Sequence, residues 1–162
     1  MNAAQSRRWR LPRLDLSVMP QTLTPGDAQD LLAAFKRGWE SRQPDTIVEL
    51  FSDDADYRVD PFAEPLAGRV EIRRHWNEVC AQQAHVDFDP ERVWVSGTAV
   101  LASWHAAYTR RRTAERVRVR GFMALELNDE GLVSRFRQWP LERVVGVDET
   151  LRPEPATAGA TE

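Results

Sequence analysis

The chain has 162 residues, of which 42% are hydrophobic and 29% are charged, a balance that is typical of globular proteins. This length favours one domain with its own core. The formal net charge of -3 and the pI of about 5.7 create no positive field for a phosphate backbone, so nucleic acid is not a predicted partner.

Cysteine and histidine usage argues against a disulfide and a metal centre. Cys80 is the single cysteine, which fits a reducing compartment. His75, His85 and His105 show no metal-ligand spacing, so we predict neither a metal nor another cofactor. No secretion signal and no run of roughly 20 apolar residues is readable, so we expect a soluble cytoplasmic protein without membrane contact.

Three segments are predicted along the chain. Residues 1–23 mix Arg, Pro and apolar groups without a helical or strand period, which indicates a flexible N-terminal arm. Residues 148–162 are rich in Pro, Ala and Thr and are predicted to form a disordered tail. The folded domain is therefore expected to span residues 24–147.

Helical periodicity dominates the first half of this domain. Thr24 followed by Pro25 predicts a capped helix start, and one apolar stripe follows it at helical spacing. A second, shorter helix is predicted to begin near Pro44. A third is predicted from Val70 to about Gln83, with its apolar residues on one face.

Strand patterns occupy the rest of the domain. One short strand is predicted between the second and third helices, and four longer strands at residues 85–95, 98–110, 115–127 and 131–145. Their short connections require antiparallel neighbours. We therefore predict an α+β fold, a cone-shaped curved antiparallel sheet with about three N-terminal helices packed on its concave face.

Two stretches, "YRVDPFAEPLAGRVEIRRHW" at residues 57–76 and "GFMALELNDEGLVSRFRQW" at residues 121–139, resemble the nuclear-transport-factor-2-like superfamily, in particular its SnoaL-like branch with the ketosteroid-isomerase-like cone. The resemblance covers about residues 27–142. It implies a cone that hosts isomerases, cyclases, hydrolases, ligand-binding proteins and adaptors in different members, so the fold leaves the function open.

Asp60 is the catalytic candidate that this resemblance implies. The Asp60-Pro61 pair is similar to the general-base Asp and following Pro of the ketosteroid isomerases. Phe35 and Arg120 fall where those isomerases carry a tyrosine and a second acid that bind the enolate oxygen. The alternative is that Asp60 only begins a turn and caps its amides. Contact with Arg120 would keep Asp60 ionised and poorly basic.

Ten residues are predicted to line a pocket inside the cone. In strand 98–110 we expect the face of Trp104 and Tyr108 to point inward, with His105 on the convex side. A lining with several indoles favours a flat, aromatic or polycyclic ligand. The predicted lining consists of Phe35, Trp39, Tyr57, Phe62, His75, Trp76, Trp104, Tyr108, Arg120 and Trp139.

Two functions are compatible with these residues. In the first, the cone binds a small apolar metabolite, or a protein, without chemistry. In the second, the protein is a cofactor-free isomerase or cyclase in which Asp60 removes a proton next to a carbonyl. That reaction requires a donor for the enolate oxygen, from Tyr57, Tyr108, His75 or a Trp N–H. The resemblance also implies a homodimer through the convex face of the sheet.

Overall fold

The computed structural model describes residues 22–151. Three α-helices confirm the predicted ones: α1 (Pro25–Glu40), α2 (Pro44–Val48) and α3 (Gly68–Gln82). The Thr24 side chain accepts a hydrogen bond from the Asp27 amide at 3.1 Å, and the Asp27 carboxylate accepts one from the Thr24 amide at 2.8 Å. This reciprocal cap explains why α1 begins where its sequence predicts.

Six strands form one sheet: β1 (Phe51–Arg58), β2 (Leu66–Ala67), β3 (Gln83–Ser96), β4 (Ala99–Arg110), β5 (Glu115–Leu127) and β6 (Val133–Val147). Their order in the sheet is β2-β1-β6-β5-β4-β3. The four long strands form the predicted antiparallel meander. However, β1 pairs with β6 in parallel, so the sheet is mixed. The long connection from β1 to β6 permits this parallel pair, which short hairpins cannot make.

Bulges bend the long strands into the cone. The register shifts between Ala84 and Asp87 and again between Pro90 and Arg92 in the β3–β4 pair. Such bulges increase the local twist and bend of a strand. The curled, unclosed sheet then holds α1 and α3 against its concave face, which confirms the predicted α+β cone.

Alternation along β4 shows which of its faces is internal. Trp104 is only 2% exposed, and its neighbours two residues away on either side, Ala102 and Ala106, are buried as well. His105 is half-buried on the opposite, outer face. The predicted inward direction of Trp104 is therefore confirmed.

The helix start of α3 depends on a glycine in the left-handed region. Gly68 has φ of +76°, and a Cβ atom there would lie 2.7 Å from the backbone oxygen of Asp53. Glycine alone adopts this conformation without strain and leaves room for the close approach to β1. Gly68 thus sets where the chain turns from the edge strand β2 into α3.

The described residues include only the inner parts of the two predicted termini. The predicted N-terminal arm lies outside the described residues except for its last two, and the Leu23 amide donates to Gly97 at 3.1 Å. Residues 152–162 of the predicted tail also lie outside. In residues 148–151, the described part of the predicted tail, the Asp148 amide donates a hydrogen bond to Ala114 and a 3₁₀ turn covers Glu149–Leu151. Within the described part of the chain, no helix has the length and apolar character that a bilayer span requires.

Candidate functional site

Aromatic rings fill the space between the concave face of the sheet and the helices. The ring centroid of Phe35 in α1 lies 5.4 Å from that of Trp76 in α3, and the centroid of Trp39 lies 5.7 Å from that of Trp76. In both pairs the rings meet edge-on. Trp39 also lies 6.1 Å from Trp104 of β4. Edge-on contacts of this kind each contribute about 0.5–1.5 kcal/mol beyond simple burial. The cluster therefore ties both helices to the sheet.

Two buried indoles of this cluster have no hydrogen-bond acceptor. Trp39 donates its Nε1–H to the side-chain oxygen of Gln83 at 2.8 Å. Trp76 and Trp104 are 3% and 2% exposed, and neither Nε1 has a partner within residues 22–151. A buried donor without an acceptor costs about 1–3 kcal/mol. The interior thus contains two donors whose hydrogen bonds a ligand could supply.

Tyr57 lies at the other side of the same cluster. Its ring stacks on Phe136 with centroids 4.4 Å apart and planes at 11°. Burial raises the pKa of Tyr57 well above its ordinary value, so its hydroxyl stays protonated. The Trp76 indole beside it opposes this shift, although its N–H does not meet the geometry of a hydrogen bond.

The position of Trp104 depends on Gly121 of β5, directly across the ladder. A Cβ atom at Gly121 would lie 2.5 Å from Cζ2 and 3.0 Å from Nε1 of the indole. The ring therefore lies flat against the β5 backbone. Our sequence analysis missed Gly121, although a glycine inside a strand often marks such a close approach.

His75 borders the cluster from α3. Its half-buried ring lies 5.6 Å from that of Tyr57 and 5.9 Å from that of Trp76. Burial lowers the pKa of His75 from its ordinary value, although Glu78 opposes this effect. The imidazole is therefore predominantly neutral at pH 7. Its partial burial places it at the border between the aromatic interior and solvent.

Asp60 lies outside this interior, in an exposed turn. Its carboxylate accepts a hydrogen bond from the Phe62 amide at 2.8 Å, and its carbonyl accepts one from the Ala63 amide at 3.2 Å. This geometry matches the capped-turn alternative. Arg120 does not contact Asp60 and instead pairs with Glu91 at 3.1 Å on the outer face.

Three residues that we predicted to line the pocket lie elsewhere. The turn directs Phe62 into solvent, where it is 97% exposed. Val119 and Gly121 occupy the inner face of β5, so the intervening Arg120 points outward. Trp139 pairs across the ladder with Phe122 on that same outer face and is 43% exposed. Strand register therefore separates these side chains from the interior.

Tyr108 lies at the rim of the inner face. Its hydroxyl donates to the Glu142 carboxylate at 2.8 Å. Burial, together with this carboxylate, raises the pKa of Tyr108 to about 12. The phenol therefore stays protonated, and its one hydrogen is already donated to Glu142.

The outer face carries an exposed aromatic row. Trp94, Phe122 and Trp139 lie side by side, with centroid distances of 6.1 and 6.3 Å. Sheet register places them on β3, β5 and β6. The homodimer through this convex face stays a prediction.

The open cavities that border the described residues include four of about 730, 530, 420 and 360 Å³. Neither Trp39, Trp76 nor Trp104 lines any of these four cavities. In this structure the protein's own rings occupy the centre of the cone. A ligand that reaches the two indole donors must therefore displace rings rather than enter an open cavity.

Comparison with known proteins defines the class. Residues 32–136 match the SnoaL-like domain, and the chain belongs to that family. No curated protein matches the sequence. Solved structures that share the fold include three that are 20% identical or less to this chain.

The first of these structures is the epoxide hydrolase/cyclase-like enzyme SalBIII of pyran ring formation in the polyether salinomycin (19% identity, TM-score 0.65, 74% of this chain and 97% of that chain). The second is an epoxide hydrolase of the LEH-like type from M. tuberculosis. It has 20% identity and a TM-score of 0.61, and the match covers 75% of this chain and 86% of that chain. The third is a computationally designed 17-OHP binder. It has 15% identity and a TM-score of 0.60, and the match covers 72% of this chain and 97% of that chain.

Proposed function

We propose that this SnoaL-like protein binds a small apolar metabolite, aromatic or polycyclic, that carries a hydrogen-bond acceptor such as a carbonyl. The observation that carries the proposal is the pair of buried indole donors of Trp76 and Trp104 that lack acceptors. A carbonyl oxygen that reached either indole would accept a hydrogen bond that the protein leaves unmade. Apolar rings of the ligand would then replace ring contacts within the cluster.

The ligand would enter beside His75 and Val59. These two side chains are only partly buried, whereas the rings behind them are almost completely buried. Their displacement exposes Tyr57 and Trp76 first, because His75 contacts both rings. The similarity to a designed 17-OHP binder supports the proposal in one respect, since that protein binds its ligand on the same fold.

No proton transfer in this proposal passes through Asp60. A general base must lie within hydrogen-bond reach of the proton that it removes. Asp60 is exposed, and its carboxylate is engaged by the Phe62 amide. The geometry therefore favours binding over isomerase or cyclase chemistry.

Paired ligands test the role of the indole donors. We expect fluorenone, an aromatic ketone, to bind more tightly than fluorene, which has the same rings without the carbonyl. In Trp104→Phe the affinity for fluorenone should fall roughly 3- to 12-fold, the value of one hydrogen bond, while that for fluorene changes little. Isothermal titration calorimetry measures both.

Trp139→Phe is the matched control, since it removes an exposed indole from the outer face. It should leave the affinity for both ligands unchanged. The proposal fails if neither ligand binds the wild-type protein, or if Trp104→Phe weakens fluorene as much as fluorenone. It also fails if Trp139→Phe has the larger effect.

Asp60→Asn separates binding from catalysis. We expect this variant to bind fluorenone with the wild-type affinity, because residue 60 lies outside the aromatic interior. An asparagine oxygen still accepts the Phe62 amide, so stability should change by less than about 0.5 kcal/mol. Calorimetry and urea unfolding measure these two quantities. A large loss of fluorenone affinity would show that Asp60 belongs to the binding site.

A further inference from the structure

An open groove of about 730 Å³ lies where β4 and β5 meet the C-terminal end of β6. Outward-facing Arg116 and Arg118 of β5 contribute two guanidinium groups to its lining. Ala107 and Val145 contribute apolar surface, and His85 lies at its edge. The groove therefore combines positive charge with an apolar floor.

His85 is held in place by its backbone and by Asp148. It lies in the bulge of β3 with φ of +51°, a left-handed conformation that few residues other than glycine adopt, histidine more often than most. Such a bulge redirects a side chain out of the strand pattern. The Nδ1 atom of His85 lies 3.2 Å from the Asp148 carboxylate, which leaves the other ring nitrogen available to a ligand.

The ionised Asp148 carboxylate also lines the groove, but the two guanidinium groups of Arg116 and Arg118 outweigh its single negative charge. Thr150 donates to it through its hydroxyl at 2.6 Å and its amide at 3.1 Å, and Thr109 donates at 3.2 Å. Thr150 above all, with His85 and Thr109, holds the pKa of Asp148 down at about 2. The carboxylate is therefore ionised, and its role is to orient His85.

Arg116 and Arg118 differ from Arg110 in their charge partners. Arg110 pairs with Glu115 and Glu142. No ion pair among residues 22–151 involves Arg116 or Arg118. Moreover, Arg118 lies directly opposite Arg143 across the β5–β6 ladder. Like charges in such a cross-strand pair repel each other, so the charge in this part of the groove is predominantly positive.

We propose that this groove binds a small organic anion, whose carboxylate or phosphate is held by Arg116 and Arg118 with His85 as a further donor. Guanidinium groups recognise both oxyanions through charge-assisted hydrogen bonds. Ala107 and Val145 contact the apolar part of the molecule. The site is separate from the aromatic interior and does not rest on the function proposed there.

Calorimetric titration of the full chain with phenyl phosphate, benzoate and inorganic phosphate tests the site. We expect at least one of the two aromatic anions to bind more tightly than inorganic phosphate. Arg118→Gln should weaken its binding roughly tenfold or more. Arg135→Gln removes the same charge from the outer face of β6 and should change the affinity less than twofold, because Arg135 pairs with Glu126.

The chemical shifts of the His85 ring give a readout at the site itself. They should move on titration with the bound aromatic anion in the wild type and in Arg135→Gln, but not in Arg118→Gln at the same concentration. Preference for phenyl phosphate assigns a phosphate ligand, and preference for benzoate assigns a carboxylate. Equal losses in both arginine variants, or inorganic phosphate binding as tightly as the aromatic anions, would overturn the proposal. So would the absence of binding by all three anions.

Discussion

Replacement of Phe35 by alanine is expected to destabilise the fold by about 3–5 kcal/mol, because it removes a ring from the centre of the aromatic cluster. Phe35 is 1% exposed and contacts rings from a helix and two strands: Trp76 at 5.4 Å, Phe88 at 5.6 Å and Phe136 at 6.0 Å. The cavity that remains would lie between α1 and the sheet. Urea unfolding followed by circular dichroism measures the loss of unfolding free energy.

Phe62→Ala is the matched control, with the same atoms removed from a side chain that is 97% exposed. Its unfolding free energy should stay within about 0.5 kcal/mol of the wild type. A large destabilisation by Phe62→Ala would show that its loop packs on the domain in solution. A small effect of Phe35→Ala would show that the interior is less tightly filled than the ring distances indicate.

These two phenylalanines also show what the sequence could and could not predict about the site. Phe35 belongs to a helical stripe, so its period alone places it in the core. Phe62 lies in a loop, where no period exists and where the turn capped by Asp60 decides the direction of the side chain. Loop side chains next to a motif are therefore the least predictable part of the candidate site.

Strand register limits prediction in a different way. Alternation in β4 identifies the inner face correctly, because the apolar load of the Trp104 face is the larger one. In β6 the apolar Trp139 lies on the outer face, so an apolar side chain in that strand does not identify the inner face of the sheet. The parallel pairing of β1 with β6 depends on contacts between residues far apart in the sequence, such as Tyr57 with Phe136. Local patterns do not contain that information.

Gly121→Ala is expected to destabilise the domain by about 1–3 kcal/mol, through overpacking rather than a cavity. The new Cβ would lie 2.5 Å from Cζ2 of Trp104, far inside normal contact distance. The indole is a rigid plane, confined by Trp39 at 6.1 Å and Phe88 at 5.6 Å, so it has little room to move away. The tryptophan fluorescence of the folded state should also change, because Trp104 has to tilt.

Gly146→Ala is the appropriate control, since it lies in the adjacent strand β6 and a Cβ there meets no atom within 4 Å. It should change the unfolding free energy by less than about 0.5 kcal/mol, and strand propensity alone slightly favours alanine over glycine. Urea unfolding of the two variants side by side therefore isolates the contact with Trp104. Equal effects at both positions would mean that the indole does not lie against the β5 backbone in solution, and the donor at Trp104 Nε1 would then no longer be confined to the interior.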